Sequence, residues 1–198
     1  MIDPSSMQEW IRRMNNGSEE AFRVIYDQTK EHVYGTVSLL INNREDVSDV
    51  VNEVYAELIT SLPKYDLGKP FRPWLTGLTI RQVNNWNRKL WRKFRLVERS
   101  KSFALHEPNP GSDAVVLHNE HRSSLVELVQ KLPYKHKSVV VLRYYHEHSF
   151  EEISELLGIP VGTVKSRHHA ALAKLRKHAV TIFSEEEGGI PSCPSNIN

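Results

Sequence analysis

The stretch SFEEISELLGIPVGTVKSRHHAALAKL, residues 149–175, decides the fold. Ser149 followed three residues later by Glu152 makes a capping box, so a helix starts at Phe150. Phe150, Ile153, Leu156 and Leu157 recur at helical spacing and form its inner face. Gly158 ends that helix, because glycine enters the left-handed region at little cost. Ile159 turns back toward the core, and Pro160 stands ahead of the next helix, where a missing amide does least harm. Val164, Ala171, Leu172 and Leu175 line one side of this second helix, and Thr163, Lys165, Ser166, Arg167 and His169 line the other. No acidic residue interrupts it from Gly158 to Lys177. Helix, tight turn and basic-faced helix make the helix-turn-helix pattern, and its second helix fits the major groove of DNA. Gly162 and Thr163 at its start let backbone amides approach a phosphate, with a modest contribution from the helix dipole. Arg167 suits guanine or a phosphate, and Lys165 suits a phosphate. A helical hairpin with solubilising charges is the plain alternative for this segment alone.

Working outward, every other ordered stretch is also helical, so the expected fold is all-α: two small helical domains joined by a flexible linker. Ser18 caps a helix whose stripe runs Ala21, Phe22, Ile25, Val33, Val37 and Leu40. INNRED breaks it, and a second helix from about Asp46 to Leu62 carries Val47, Val50, Val51, Val54, Leu58 and Leu62 inward. Pro63 stops that helix, KYDLGKP is a loop, and a third helix starts near Pro73 and continues past Trp91. FALHEPNPGSD reads as a tether. Helical spacing resumes near Val115, strengthens at Leu125, Leu128, Val129 and Leu132, and continues in PYKHKSVVVLRYYHE with Val139, Val140 and Leu142 as anchors. The expected divisions are a lead at 1–17, a first domain at 18–100, a linker at 101–116, a second domain at 117–183 and a disordered tail at 184–198.

The formal net charge of the 198 residues is only +2, but its distribution is uneven. From Glu19 to Asp66 ten acids stand against four bases, and from Arg81 to Lys101 eight bases stand against one acid. A polyanion responds to such local fields. The basic run FRPWLTGLTIRQVNNWNRKLWRKFRLVERS interleaves Trp74, Trp86, Trp91 and Phe94 with Arg81, Arg88, Lys89, Arg92, Lys93 and Arg95, beside Asn84, Asn85 and Asn87. Aromatic rings among cations stack on unpaired bases while the cations hold the backbone. A membrane-surface helix is the rival, and the asparagines and Thr79 interrupt its apolar face. Trp74, Leu75, Leu78 and Val83 are core positions, so only the outward subset meets nucleic acid. In REDVSDVVNEVYAELITSL, Asp46, Asp49, Glu53 and Glu57 form an acidic stripe that repels DNA and is either solvated surface or a seat for a basic protein.

Several function classes lack support. Cys193 is the sole cysteine, which leaves no internal disulfide and no thiolate zinc site. MIDPSSMQEW lacks the apolar segment of a signal peptide, and no run approaches the ~20 apolar residues of a membrane span. A cytoplasmic setting without membrane insertion is therefore expected. An enzyme using His118 and His121 of LHNEHR as metal ligands is one alternative, but there is no HExxH, Walker loop or nucleophile elbow, so no cofactor or metal is expected. A stand-alone dimeric helix-turn-helix repressor or activator is another. It leaves the second basic helix unexplained, and no spare apolar stripe offers a dimer interface.

Three ordered motifs resemble one family. REDVSDVVNEVYAEL is similar to region 2.2 of the extracytoplasmic-function (ECF) sigma factors, group 4 of the sigma-70 family, the compact specificity subunits of bacterial RNA polymerase. FRPWLTGLTIRQVNNWNRK resembles regions 2.3 and 2.4, with Phe71, Trp74 and Leu75 at the usual anchors, and LPYKHKSVVVLRYYHEHSFEEISELLGIPVGTVKSR resembles region 4. The resemblance spans about Glu19 to Lys177. It implies a subunit that binds core polymerase through the β′ clamp helices and the β flap, directs it to promoters and helps melt the −10 element. Asp46, Asp49, Val50 and Glu53 match the β′-binding helix. Lys64, Lys69, Arg81, Asn84, Asn85, Arg88, Lys89, Trp91 and Arg92 fall in the part that melts and captures the −10 element. Gly162, Thr163, Lys165, Ser166, Arg167 and His169 fall in the helix that reads the −35 element. The resemblance also implies a linker threading toward the polymerase channel and an anti-sigma partner that covers the polymerase-binding surfaces. Three departures stand out. Asn52 replaces the usual glutamine, and His168 takes a normally apolar place, where a partly buried histidine is expected. Two basic residues usual after it are absent, which lowers the phosphate affinity expected of this helix.

Overall fold

The computed structural model describes the backbone of residues 4–101 and 122–187, and the side chains of 7–95 and 125–178. The expected linker beyond Lys101, His118, His121 and the tail from Gly188 lie outside the described residues. Among the described residues there is no strand. Even KSVVVLRYY, whose β-branched run resembles a strand, is helical. Contacts divide the chain into two units, Met1–His118 and Asn119–Asn198.

In the first unit, α1 (Pro4–Asn15), α2 (Glu19–Leu40), α3 (Glu45–Ser61) and α4 (Phe71–Lys101) pack together, with one 3-10 turn at Leu62–Lys64. Ser18 caps α2 by accepting from the Ala21 amide at 3.3 Å, and Glu19 and Glu20 sit where the helix dipole favours them. Val47, Val50, Val54 and Leu58 of α3 close on Ile25, Val33 and Val37 of α2 and on Leu75, Leu78, Ile80 and Val83 of α4, all buried. Thr29 fills the gap between Ile25 and Val33 in the apolar stripe. Its hydroxyl donates to the Ile25 carbonyl at 2.7 Å and pairs with the Tyr55 hydroxyl at 3.0 Å, which removes the penalty of a buried polar group. The lead is not a separate segment: residues 4–15 form α1, and Met7 and Ile11 are buried in this core.

In the second unit, α5 (Arg122–Gln130), α6 (Tyr134–Val140), α7 (Phe150–Leu157) and α8 (Val161–Glu187) surround Leu128, Val129, Leu132, Val139, Val140, Leu142, Ile153, Val164 and Ala171. Leu125, expected to face inward, is 61% exposed. After Val140 the helix widens into one π turn, Val141–Tyr145, closed by the His146 amide on the Val141 carbonyl at 3.2 Å. Glu147 leaves it with φ 59, a left-handed conformation held by a residue other than glycine. α8 runs to Glu187, past the expected tail start at 184, because the first helix breakers after Pro160 and Gly162 are Gly188 and Gly189.

Candidate nucleic-acid interface and protein-binding face

The helix-turn-helix is built as its local chemistry dictates. The Ser149 hydroxyl accepts from the Glu152 amide at 3.2 Å, and the Glu152 carboxylate accepts from the Ser149 amide at 2.7 Å. The Ser149 backbone amide first, then the Ser149 hydroxyl and the neighbouring His148, hold the Glu152 carboxyl below its usual pKa. Gly158 adopts φ 63, ψ 39, and both Schellman bonds form: Gly158 N–H to Glu155 C=O and Ile159 N–H to Ser154 C=O. The Ser154 hydroxyl closes the turn on the Ile159 carbonyl at 2.6 Å. This rigid corner fixes where α8 begins. Of the expected inner face of α7 only Ile153 is fully buried, while Phe150, Leu156 and Leu157 are half-buried.

Along α8, Val164 and Ala171 are buried, and Gly162, Lys165, Ser166 and His169 are exposed on the opposite side. Thr163 and Arg167 lie half-buried at the flanks of that surface. The Ser166 hydroxyl donates to the Thr163 carbonyl at 3.0 Å. A Cβ built on Gly162 meets nothing within 4 Å, so nothing inside the fold demands glycine there. His168 is half-buried, stacked on Tyr144 with ring centroids 5.7 Å apart, edge-on to Phe150, and its Nε2 pairs with the Tyr144 hydroxyl at 3.0 Å. Burial lowers its pKa, helped by Arg143 and His169, so a neutral imidazole occupies this place at pH 7. The His136 pKa falls in the same way, through burial first and then Lys174, Lys135 and Arg167.

One feature of this unit has no signal in the sequence pattern. Lys137 is 1% exposed, and its Nζ donates to Gln130 Oε1 at 3.1 Å. Burial takes its pKa from 10.5 down to about 8. Nothing in YKHKSVV separates this lysine from Lys135, which is exposed two residues away.

In the first unit, the acidic stripe and the basic helix meet. Lys89 Nζ lies 2.7 Å from Glu53 Oε1, and Trp86 Nε1 donates to Asp46 Oδ2 at 3.4 Å. Lys89 also stands 5.8 Å from the Trp86 ring centroid. Of the four residues expected to seat polymerase, Asp49 is exposed, Asp46 and Glu53 are half-buried and engaged by α4, and Val50 has no exposed surface. Val50 therefore lies in the core beneath that face. On α4, Arg81, Asn85, Arg88, Lys89, Trp91 and Arg92 are exposed and Asn84 is half-buried. Gln82, Asn85, Arg88, Lys89 and Arg92 line one shallow groove. Gln82 is not among the residues the resemblance marks, although its spacing of three to Asn85 and ten to Arg92 places it on the same face. Trp91, 65% exposed, meets Phe94 edge-on at 6.4 Å.

Lys64 and Lys69 flank an ordered loop and are exposed. Tyr65 is buried at its base, with its ring 4.7 Å from Trp74 and 5.7 Å from Phe71, and its hydroxyl donates to the Lys69 carbonyl. Burial raises the phenol pKa, with Asp66 adding to it. Asp66 Oδ1 accepts from the Gly68 amide at 2.9 Å, and the Lys69 amide donates to the Asp66 carbonyl at 3.0 Å.

Residues 25–93 match the family model of Sigma-70 region 2, and residues 128–177 match that of Sigma-70, region 4. Together they cover more than half of the chain, in the order expected. This chain belongs to the sigma-70 family. It is of the ECF type and acts as a sigma factor, directing RNA polymerase to promoters. The chain is 29% identical over 187 residues to the ECF RNA polymerase sigma factor SigW of Bacillus subtilis, covering 84% of this chain and 93% of that protein. Two solved structures share the fold. CnrH in complex with the cytosolic domain of CnrY has a TM-score of 0.60 at 20% identity, covering 88% of this chain and 97% of that one. The sigma factor RpoE of Bartonella quintana, in complex with the anti-sigma factor NepR, has a TM-score of 0.61 at 15% identity, covering 79% and 94%. Among the described residues no group of three or more His, Cys, Asp or Glu can hold a metal, and no helix is long and apolar enough to cross a membrane.

Proposed function

We propose a division of labour among these surfaces. Asp49, with Asp46 and Glu53 behind it, seats the β′ clamp helices of core polymerase. The loop carrying Lys64 and Lys69 and the outer face of α4, from Arg81 through Asn84, Asn85, Arg88, Lys89, Trp91 and Arg92, open and hold the −10 element. Gly162, Thr163, Lys165, Ser166, Arg167 and His169 read the −35 element, and the second unit also meets the β flap. The observation that carries the reading is the sidedness of α8. Val164 and Ala171 have no exposed surface, while Gly162, Lys165, Ser166 and His169 opposite them are open and uniformly non-acidic. A groove-entering helix needs that arrangement, since its early turns approach phosphates and base edges.

The α4 face supports the −10 assignment through its composition. Trp91 offers a ring to an unpaired base while Arg88, one turn before it, and Arg92, next to it in sequence, hold its phosphates. An anti-sigma partner fits as well. RpoE of Bartonella quintana, similar in fold, was solved with one, and Tyr26, Tyr34 and Ile59 on the first unit and Tyr144 and Tyr145 on the second are large side chains open to a covering protein. Run-off transcription with core polymerase on a promoter library tests the whole reading. Arg167→Ala is expected to lower output at promoters with a matching −35 element and to spare those without one. Equal output on both classes counts against the α8 assignment.

A further inference from the structure

α1 precedes residue 25, where the match to the region 2 model begins, yet it reaches the loop that the proposed function uses. Met7 and Ile11 bury one side of α1 against the rest of the unit, so its position is fixed by apolar packing. From that side Gln8 extends to the loop, and its Nε2 donates to the Leu67 carbonyl at 2.8 Å, a bond spanning 59 residues. Among the described residues, the loop's other hydrogen bonds that shape its tip are internal. The Tyr65 hydroxyl holds the Lys69 carbonyl, the Asp66 carboxylate holds the Gly68 amide, and the Asp66 carbonyl holds the Lys69 amide. These bonds define the loop's shape. They do not define where the tip points, because the contacts that root it, Tyr65 on Phe71 and Trp74, sit at its base. A hydrogen bond at Leu67, between Lys64 and Lys69, supplies the missing fixed point.

We propose that Gln8 is a positioning residue for promoter opening, holding the Tyr65–Pro70 loop at the orientation in which Lys64 and Lys69 meet the −10 strand. This rests on the assignment of that loop to the −10 element. The physical basis is preorganisation. A loop already held in its working orientation loses less entropy when it engages DNA, and a tip free to swing spends part of its time misdirected. Gln8 touches no nucleic acid in this account and acts only through Leu67.

The test compares parent, Gln8→Met, Gln8→Lys and the double variant Lys64→Ala/Lys69→Ala, each reconstituted with core polymerase on a duplex promoter. Gln8→Met keeps the length and removes the donor, whereas Gln8→Lys restores one. Permanganate reactivity of the −10 thymines reads opening, filter binding at low temperature reads the closed complex, and titration with core enzyme reads assembly. Gln8→Met is expected to open about fivefold more slowly, the factor corresponding to one neutral hydrogen bond net of water competition. Its closed-complex and core affinities should stay within twofold of the parent, and Gln8→Lys should recover most of the rate. Opening by Gln8→Met at the parental rate, or a slowing matched by an equal loss of core binding, overturns the inference. If the lysine double variant opens normally, the loop assignment fails and the inference goes with it. If that variant is slow while Gln8→Met is not, only the role of Gln8 fails.

Discussion

Replacing Lys137 with methionine should stabilise the second unit at neutral pH, and the gain should shrink as the pH rises. The side chain is 1% exposed, and burial lowers its pKa from 10.5 to about 8. At 1.36 kcal/mol per pH unit, holding this ammonium folded at pH 7 costs about 3.4 kcal/mol relative to leaving it in water. The unfolded chain keeps the proton up to about 10.5 and the folded one releases it near 8. Between these values the unfolded state binds more protons, so parental stability rises with pH. From pH 7 to pH 9.5 the rise from this group is about 2 kcal/mol. Methionine matches the length of the buried stem and removes the charge. The expected gain at pH 7 is about 2 kcal/mol, once about 1 kcal/mol is deducted for the bond to Gln130. All four tryptophans, Trp10, Trp74, Trp86 and Trp91, lie in the first unit, so their fluorescence does not report the second. Urea titrations read from methyl resonances of Val139 and Leu142 do. A variant less stable than the parent at pH 7 refutes the reasoning. So does a parent-to-variant difference that stays constant between pH 7 and pH 9.5.

Asp49→Lys should weaken core polymerase binding at least tenfold with an unchanged melting temperature, because the side chain is exposed. Glu53→Lys instead faces Lys89 across 2.7 Å and should also destabilise the first unit, by about 0.5–1 kcal/mol, visible in tryptophan-detected unfolding. Glu147→Gly should stabilise the second unit by about 1 kcal/mol in the same methyl-detected titration, since φ 59 strains any residue with a Cβ. Gly162→Ala should leave stability unchanged or raise it by up to about 1 kcal/mol, since the added Cβ meets nothing. The same change should weaken −35-dependent promoter binding in footprinting, where a close backbone approach to phosphate is obstructed. An alanine variant that binds as the parent does would remove Gly162 from the interface.

The parts legible in the sequence are those set by chemistry within one or two helical turns. Ser149 and Glu152, Gly158 and Pro160 specify a cap, a left-handed stop and a restart through hydrogen bonds a few residues long, and all appear as read. The apolar stripes of α2, α3 and α4 are equally local, since a period of 3.6 needs no knowledge of the partner helix. The outward placement of Lys165, Ser166 and His169 follows from the same period.

What only the tertiary structure decided depends on which helix faces which. The pattern that makes Val50 part of an acidic stretch cannot say that packing covers it completely, and Asp46 and Glu53 carry no mark that Trp86 and Lys89, 40 and 36 residues on, will engage them. Lys137 and Lys135 share one sequence context, yet the packing around α6 buries the first and leaves the second in water. Gln8 meets Leu67 across 59 residues for the same reason. Helical periodicity distinguishes inside from outside along one helix, while long-range pairing is settled by the angles and offsets at which several helices pack, to which every side chain in the core contributes.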